Sequence, residues 1–274
     1  KKIKTLAIVD SPASLEYRFR GKSSNMFKYL TDYILISNED IKFKLLKLGV
    51  PTRRILLCKH PYYDFIIKKK LLFSKIERSQ KIYSLFNLKQ DKSNKKKVLV
   101  FLTELSKGLE ENEFVKNDDY ELVGKKNSYL RTHVILDEVI DSIKYFRNKI
   151  HFVLRLHPKE NFNDYQKYFS SVDSLSKFDD SLEIIYFSDI IIGLTTNLLT
   201  EAAIMNKPVL SVTPRFKEFS WLSNPVKPSI LHTSKKKELK KIIKLFLNNY
   251  YSAEYCRKDE QYKSITDIFC ELIN

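Results

Sequence analysis

Between Phe187 and Pro214 the chain runs as an apolar block, a polar turn, an apolar stripe at helical spacing and a second apolar block. Ile190 to Ile192 is short, β-branched and apolar on both faces, the pattern of a buried parallel strand, and it ends near Gly193. Thr195, Thr196 and Asn197 are helix-capping residue types, and Leu198, Leu199, Ala202, Ala203 and Met205 then recur at helical spacing. Asn206 stops this helix and Pro208 opens a further strand, Val209 to Val212. A strand, polar turn, helix and strand in that order aim backbone N–H groups and two hydroxyls at one point beyond the carboxyl end of a sheet, where a phosphate binds well. The same residues also read as an ordinary βαβ turn whose threonines only cap the helix.

The rest of the chain repeats this alternation. Residues 3–9 form a strand candidate ending at Asp10-Ser11-Pro12, and residues 33–37 form a second. An amphipathic helix over 38–48 is terminated by Gly49 and Pro51, a third strand spans 54–58, and residues 64–86 read as helical. Residues 89–97 are polar and without period, which marks a linker. Beyond it the pattern predicts strands at 98–103, 152–156, 190–193 and 209–212, an edge strand at 230–232, and helices at 132–147, 236–248 and 264–272. Alternating β and α with short turns specifies an α/β fold of doubly wound parallel sheets. Two Rossmann-like domains are expected, at 1–88 and 98–274. The first, with about three strands, is expected to have further sequence upstream of Lys1. The irregular stretch from Glu104 to Arg131 is long, and loops of that size are more often functional than idle.

Composition narrows the function classes. At 274 residues the chain can bury a core in each of two domains, and 43% apolar with 30% charged residues is ordinary for a globular protein. No apolar run approaches the roughly 20 residues that span a bilayer. Cys58, Cys256 and Cys270 lack metal-ligand spacing and leave one cysteine over in any disulfide scheme, which fits a reducing cytoplasm. The formal charge of +16 lies largely in lysine runs such as 68–70, 95–97 and 235–237, in a chain also rich in Ile, Asn, Phe and Tyr. Solvated faces account for most of it. What remains suits a phosphate-binding cleft or peripheral contact with an anionic membrane, on the inner face, and nucleic acid is not expected. Asp-x-Asp triplets, a glycine-rich dinucleotide fingerprint, a Walker loop and a nucleophile elbow are all missing from the sequence, so no metal is indicated, and dehydrogenase, NTPase and serine hydrolase chemistry have no motif.

The run Leu154-Arg155-Leu156-His157-Pro158-Lys159-Glu160, then Ser188-Asp189-Ile190-Ile191-Ile192-Gly193-Leu194-Thr195-Thr196, then Glu201-Ala202-Ala203 and Lys207-Pro208-Val209, resembles the C-terminal domain of GT-B glycosyltransferases. The nearest pattern is that of bacterial envelope enzymes with cytidylyl donors: sialyl- and polysialyltransferases, Kdo transferases of capsule synthesis and glycerophosphotransferases of teichoic acid synthesis. Residues 49–55 and His60-Pro61-Tyr62-Tyr63-Asp64 look like the end of a GT-B N-terminal domain. The resemblance covers roughly residues 30 to 66 and 97 to 245. It implies a metal-independent transferase that moves a sugar from a CMP- or UDP-linked donor, bound by the second domain, to a glycan or glycolipid acceptor of surface polysaccharide synthesis approaching from the first. No further cofactor is implied.

In that family the His-Pro pair and the Ser/Thr pair face the donor nucleotide. His157 follows a strand, and Pro158 biases it toward extended backbone, from which an imidazole could donate to a departing phosphate or satisfy a neighbouring carbonyl. Thr195, Thr196 and Asn197 could hold phosphate oxygens, and Glu201, in the following helix, could accept from ribose hydroxyls or stand at the surface. Glu104, after strand 98–103, and Arg155, before His157, are further cleft candidates. The sialyltransferase-like families carry an acidic pair followed by glycine as the source of the base, and this chain has none. Asp10, at the end of the first strand, is the candidate base by topology. A nucleotide-sugar 2-epimerase of the same fold, and a noncatalytic nucleotide- or polyanion-binding protein, remain open.

Overall fold

A computed structural model describes residues 3–9, 15–88, 96–105, 115–222, 224–251, 254–255 and 260–273. The chain divides into two units, one of Lys1–Phe65, Ser223–Pro225 and Cys256–Asn274, the other of Ile66–Leu222 and Val226–Tyr255.

The first unit is a parallel three-stranded sheet in the order β1 (Leu6–Val9), β2 (Tyr33–Ile36), β3 (Ile55–Leu57), with α1 at Leu15–Arg18. Ile34, Leu35 and Ile36 are wholly buried, as expected of a strand covered on both faces. Helix α2 (Glu39–Lys47) starts where the Asn38 side chain accepts from the Ile41 N–H at 3.0 Å, and it seats Ile41 and Leu45 against the sheet. It ends at Gly49, whose φ of +93° is the left-handed conformation that frees Gly49 and Val50 N–H to bond back to Leu46 and Leu45. Helix α3 (Pro61–Phe73) carries the chain into the second unit, followed by α4 (Arg78–Phe86).

The second unit is built on strands β4 (Lys97–Leu102), β5 (Ile150–Arg155), β6 (Ser174–Ser176), β7 (Ile190–Gly193), β8 (Val209–Val212) and β9 (Leu231–Thr233). All pair in parallel, in the spatial order β6-β5-β4-β7-β8-β9. Chain order therefore runs one way from β4 and the other way from β7. This is a doubly wound Rossmann-like sheet whose switch point lies between β4 and β7, where such sheets open a crevice at their carboxyl ends. The register sets those ends level, because Leu102 of β4 pairs with Arg155 on one side and Gly193 on the other. The helices are α5 (Arg131–Ile143), α6 (Ser181–Phe187), α7 (Asn197–Ile204) and α8 (Lys236–Leu247). Val134, Val139 and Ile140 of α5 and Leu239, Ile243 and Phe246 of α8 join Leu99, Phe101 and Phe152 of the sheet in one apolar core.

Several expectations change. The helix over 64–86 is two helices, interrupted at 74–77, and Glu77 accepts from the Ser79 N–H to cap the second. The helix over 132–147 becomes a tighter turn after Ile143. Strand β6 and helix α6 were not predicted. The domain limits differ too. Residues 66–88 belong to the second unit, because α4 binds it through Arg78 to Asp189 (2.8 Å) and Lys81 to Glu183 (2.9 Å). The final helix, α9 (Ile265–Ile273), belongs to the first, where Ile268 packs against Leu35 and Cys58 and the Lys59 N–H donates to the Lys263 carbonyl. Most of the expected linker, residues 89–95, lies outside the described residues, as does 106–114 of the long insert.

Candidate active site

Three strand ends bring the predicted residues of the second unit together. Helix α7 begins at Thr196, whose hydroxyl accepts from the Leu198 N–H at 3.4 Å, so the capping role is met. At its other end Asn206, at φ +60°, lets its own N–H and that of Lys207 return to Ala203 and Ala202. Gly193 lets this helix come close to the sheet: a methyl group there would lie 3.2 Å from Leu199 Cδ2 and 3.3 Å from Leu102 Cβ. The helix N-terminus, with its partial positive charge, thus stands at the switch point.

Opposite it, after β5, the His157 N–H donates to Thr103 Oγ1 at 2.7 Å, tying the end of β5 to the end of β4. His157 Nδ1 accepts from the Lys159 N–H at 3.2 Å. That bond requires a lone pair on Nδ1, so the neutral ring carries its proton on Nε2, the nitrogen left to donate. A cavity of about 290 Å³ opens here, lined among others by Thr103, Arg155, His157, Pro158, Thr196 and Asn197. His157, Thr196, Asn197 and Arg155 therefore share one cleft.

Arg155 is held rather than loose: Nη1 donates to Ser176 Oγ at 2.5 Å and Nη2 to the Asp179 carbonyl at 2.8 Å. Burial lowers its affinity for the proton, opposed by Asp179, Asp180 and Glu201. Glu201 lies buried on α7, not at the surface, and acts on Arg155 electrostatically. Thr195 does not line the cavity. Its backbone N–H and hydroxyl both donate to Glu104, the hydroxyl at 3.3 Å, and Arg131 Nη2 donates to that hydroxyl at 3.2 Å. Asp10, the candidate base, lies outside the described residues.

The structure adds a charge cluster that sequence reading missed. Arg131, at the start of α5 and 1% exposed, donates from Nη1 to Glu104 and from Nε to Glu218 Oε2 at 2.6 Å. Arg215 donates to the other Glu218 oxygen. Trp221 covers the Arg131 guanidinium at 5.1 Å and Tyr120 that of Arg215 at 5.3 Å. Burial, then the Glu218 charge, pushes the Tyr120 phenol up to about 12. The one sequence signal was a lone carboxylate, Glu218, inside the aromatic run Phe216–Trp221. Among the described residues no group of three or more His, Cys, Asp or Glu side chains could hold a metal ion, and no helix is long and apolar enough to cross a membrane.

No protein-family model matches the sequence, and no curated protein does. Solved structures do resemble it. The UDP-GlcNAc 2-epimerase of Methanocaldococcus jannaschii, in complex with UDP-GlcNAc and UDP, superposes with a TM-score of 0.58 at 18% identity, over 90% of this chain and 62% of that one. The enzyme from Neisseria meningitidis bound to UDP-GlcNAc gives 0.56 at 17%, over 98% and 69%. A variant of the wall teichoic acid polymerase TagF gives 0.50 at 17%, over 93% and 63%. These likenesses, with the switch-point topology, define the fold as GT-B-like and built of Rossmann-like units.

Proposed function

We propose that the chain is a GT-B glycosyltransferase whose second unit binds a nucleotide-activated donor, and that the acceptor is a surface glycan or glycolipid. The observation that carries this reading is the sharing of one cleft by His157 and the α7 N-terminus, Thr196 and Asn197, at the switch point of the sheet. The donor phosphates lie at the helix N-terminus, where N–H groups and the Thr196 hydroxyl receive them. The sugar–phosphate bond breaks as the acceptor attacks, and His157 Nε2–H donates to the phosphate oxygen that gains charge. Arg155, fixed by Ser176 and Asp179, lends positive potential. Pyrimidine donors, cytidylyl ahead of uridylyl, follow from the sequence resemblance, while the similar epimerases hold UDP-GlcNAc and UDP, on the uridylyl side.

Calorimetry with CMP, CDP, UDP, GDP and single-stranded nucleic acid tests the assignment. Selective pyrimidine-nucleotide binding is expected; micromolar purine binding with none of CMP, CDP or UDP overturns it. His157→Ala is expected to lower donor turnover by about 10²-fold or more with nucleotide affinity little changed. Full activity in that variant makes the histidine structural.

A second reading, a nucleotide-sugar 2-epimerase, is favoured by one observation: Glu104 directly follows Thr103 of the cleft lining, and C2-proton abstraction needs an acidic residue's conjugate base. Deuterium from solvent entering C2 of UDP-GlcNAc without acceptor would select it. Peripheral contact with anionic membrane is proposed for α8, where Lys236, Lys237, Lys240, Lys241 and Lys244 are all exposed and fall on one helical face. Co-sedimentation with anionic but not zwitterionic vesicles checks it.

A further inference from the structure

Glu104 is bound in the way a ligand phosphate is bound. Its carboxylate accepts the backbone N–H of Thr195, the Thr195 hydroxyl and a guanidinium N–H of Arg131. A backbone amide before a helix, a hydroxyl and a fork of guanidinium donors form the donor set that suits phosphate oxygens. The residues beside this seat in the chain, Thr103 next to Glu104 and Thr196 next to Thr195, line the cleft, so the seat lies one residue from the cleft lining on two strand ends.

Burial separates the two carboxylates on Arg131. The Glu218 side chain is 0% exposed and serves both Arg131 and Arg215, whereas the Glu104 side chain is 12% exposed and sits on the segment that leaves β4. Arg131 itself is 1% exposed and covered by Trp221, so it stays in place. Removing Glu104 takes one negative charge away from the buried Arg131 guanidinium and so makes the carboxyl end of β7 more positive. A buried unbalanced charge is strongly unfavourable and draws an anion in.

We propose that Glu104 is an exchangeable occupant of a phosphate seat, and that a phosphate of the bound nucleotide displaces it to take the Thr195 N–H and the Arg131 guanidinium. The proposal rests on the nucleotide-donor reading of the cleft. It makes Arg131 a phosphate ligand and gives Glu104 the role of a competitor whose negative charge also keeps single weak anions from filling the seat.

The test is calorimetric titration of the wild-type chain and Glu104→Gln with pyrophosphate, CDP, UDP, cytidine and uridine, with circular dichroism to show that the variant is folded. Glu104→Gln is expected to bind pyrophosphate and the nucleoside diphosphates at least about tenfold more tightly and the nucleosides unchanged. If the wild type binds nucleotide and Glu104→Gln binds it equally or less tightly, Glu104 is a fixed partner or a ligand itself, and this inference alone falls. If neither binds any nucleotide, the donor reading falls and takes the inference with it. Backbone-amide NMR of the wild-type chain supplies a reading without a variant. Pyrophosphate is expected to shift the Thr195 amide together with those of Thr196 and Asn197; a Thr195 amide that stays still while the other two move leaves Glu104 in its seat and overturns the proposal.

Discussion

Glu218 joins Arg131 to Arg215 in a place with no access to water, and removal of one member leaves uncompensated charge behind. Glu218→Ala is expected to cost about 3–5 kcal/mol in urea denaturation, well above the cost of an exposed ion pair such as Lys217 with Asp119. A loss below about 1 kcal/mol would mean that the cluster is not needed to hold the turn after β8. His232 fixes the same segment from the other side. Its Nε2 lies 2.7 Å from Thr213 Oγ1, and its ring stacks on Phe219 at 4.4 Å. Burial lowers its pKa to about 4, against the opposing pull of Glu121 and Glu238. Between about pH 4 and the ordinary value of 6.5 the unfolded chain therefore binds the proton that the folded chain refuses, so stability rises with pH and is lost as pH falls through that window. Thermal unfolding of His232→Phe is expected to show a flatter slope from pH 6.5 to 4 than the wild type, and an unchanged slope would contradict the half-buried neutral ring.

At the scale of elements, Gly193 decides how α7 meets the sheet. A Cβ at that position would crowd Leu199 and Leu102, both wholly buried, so Gly193→Ala is expected to cost about 1–3 kcal/mol by urea denaturation, as overpacking in a dense core does. A neutral substitution would show that the helix N-terminus is not held by close approach. The strands around this helix were legible because Ile190–Ile192 and Val209–Val212 are apolar on both faces, which a central parallel strand requires. Strand β6 was not, since Ser174-Leu175-Ser176 has one apolar residue and pairs only at the sheet edge. The break between α3 and α4 was hidden because the apolar and lysine pattern runs on through Leu71–Ile76, and the interruption comes from a local cap at Glu77 and from ion pairs to Glu183 and Asp189. His157 and Thr196 could be paired on sequence because each directly follows a strand. Arg131 and Glu218 could not, being 87 positions apart and joined only by the folded chain.

At the scale of the molecule, one Rossmann-like unit turns three level strand ends into a cleft, and the activity proposed for the chain depends on a nucleotide phosphate entering it. The net charge of +16 favours anionic ligands in general and so cannot select the site; placement has to come from position. A crystal structure of the chain soaked with CDP or UDP measures this most directly. A phosphate is expected within hydrogen-bonding distance of the α7 N-terminus, Thr196 and Asn197, with His157 Nε2 on the same phosphate. Nucleotide bound elsewhere, or bound in the cleft with its phosphates away from both His157 and the α7 N-terminus, would contradict it.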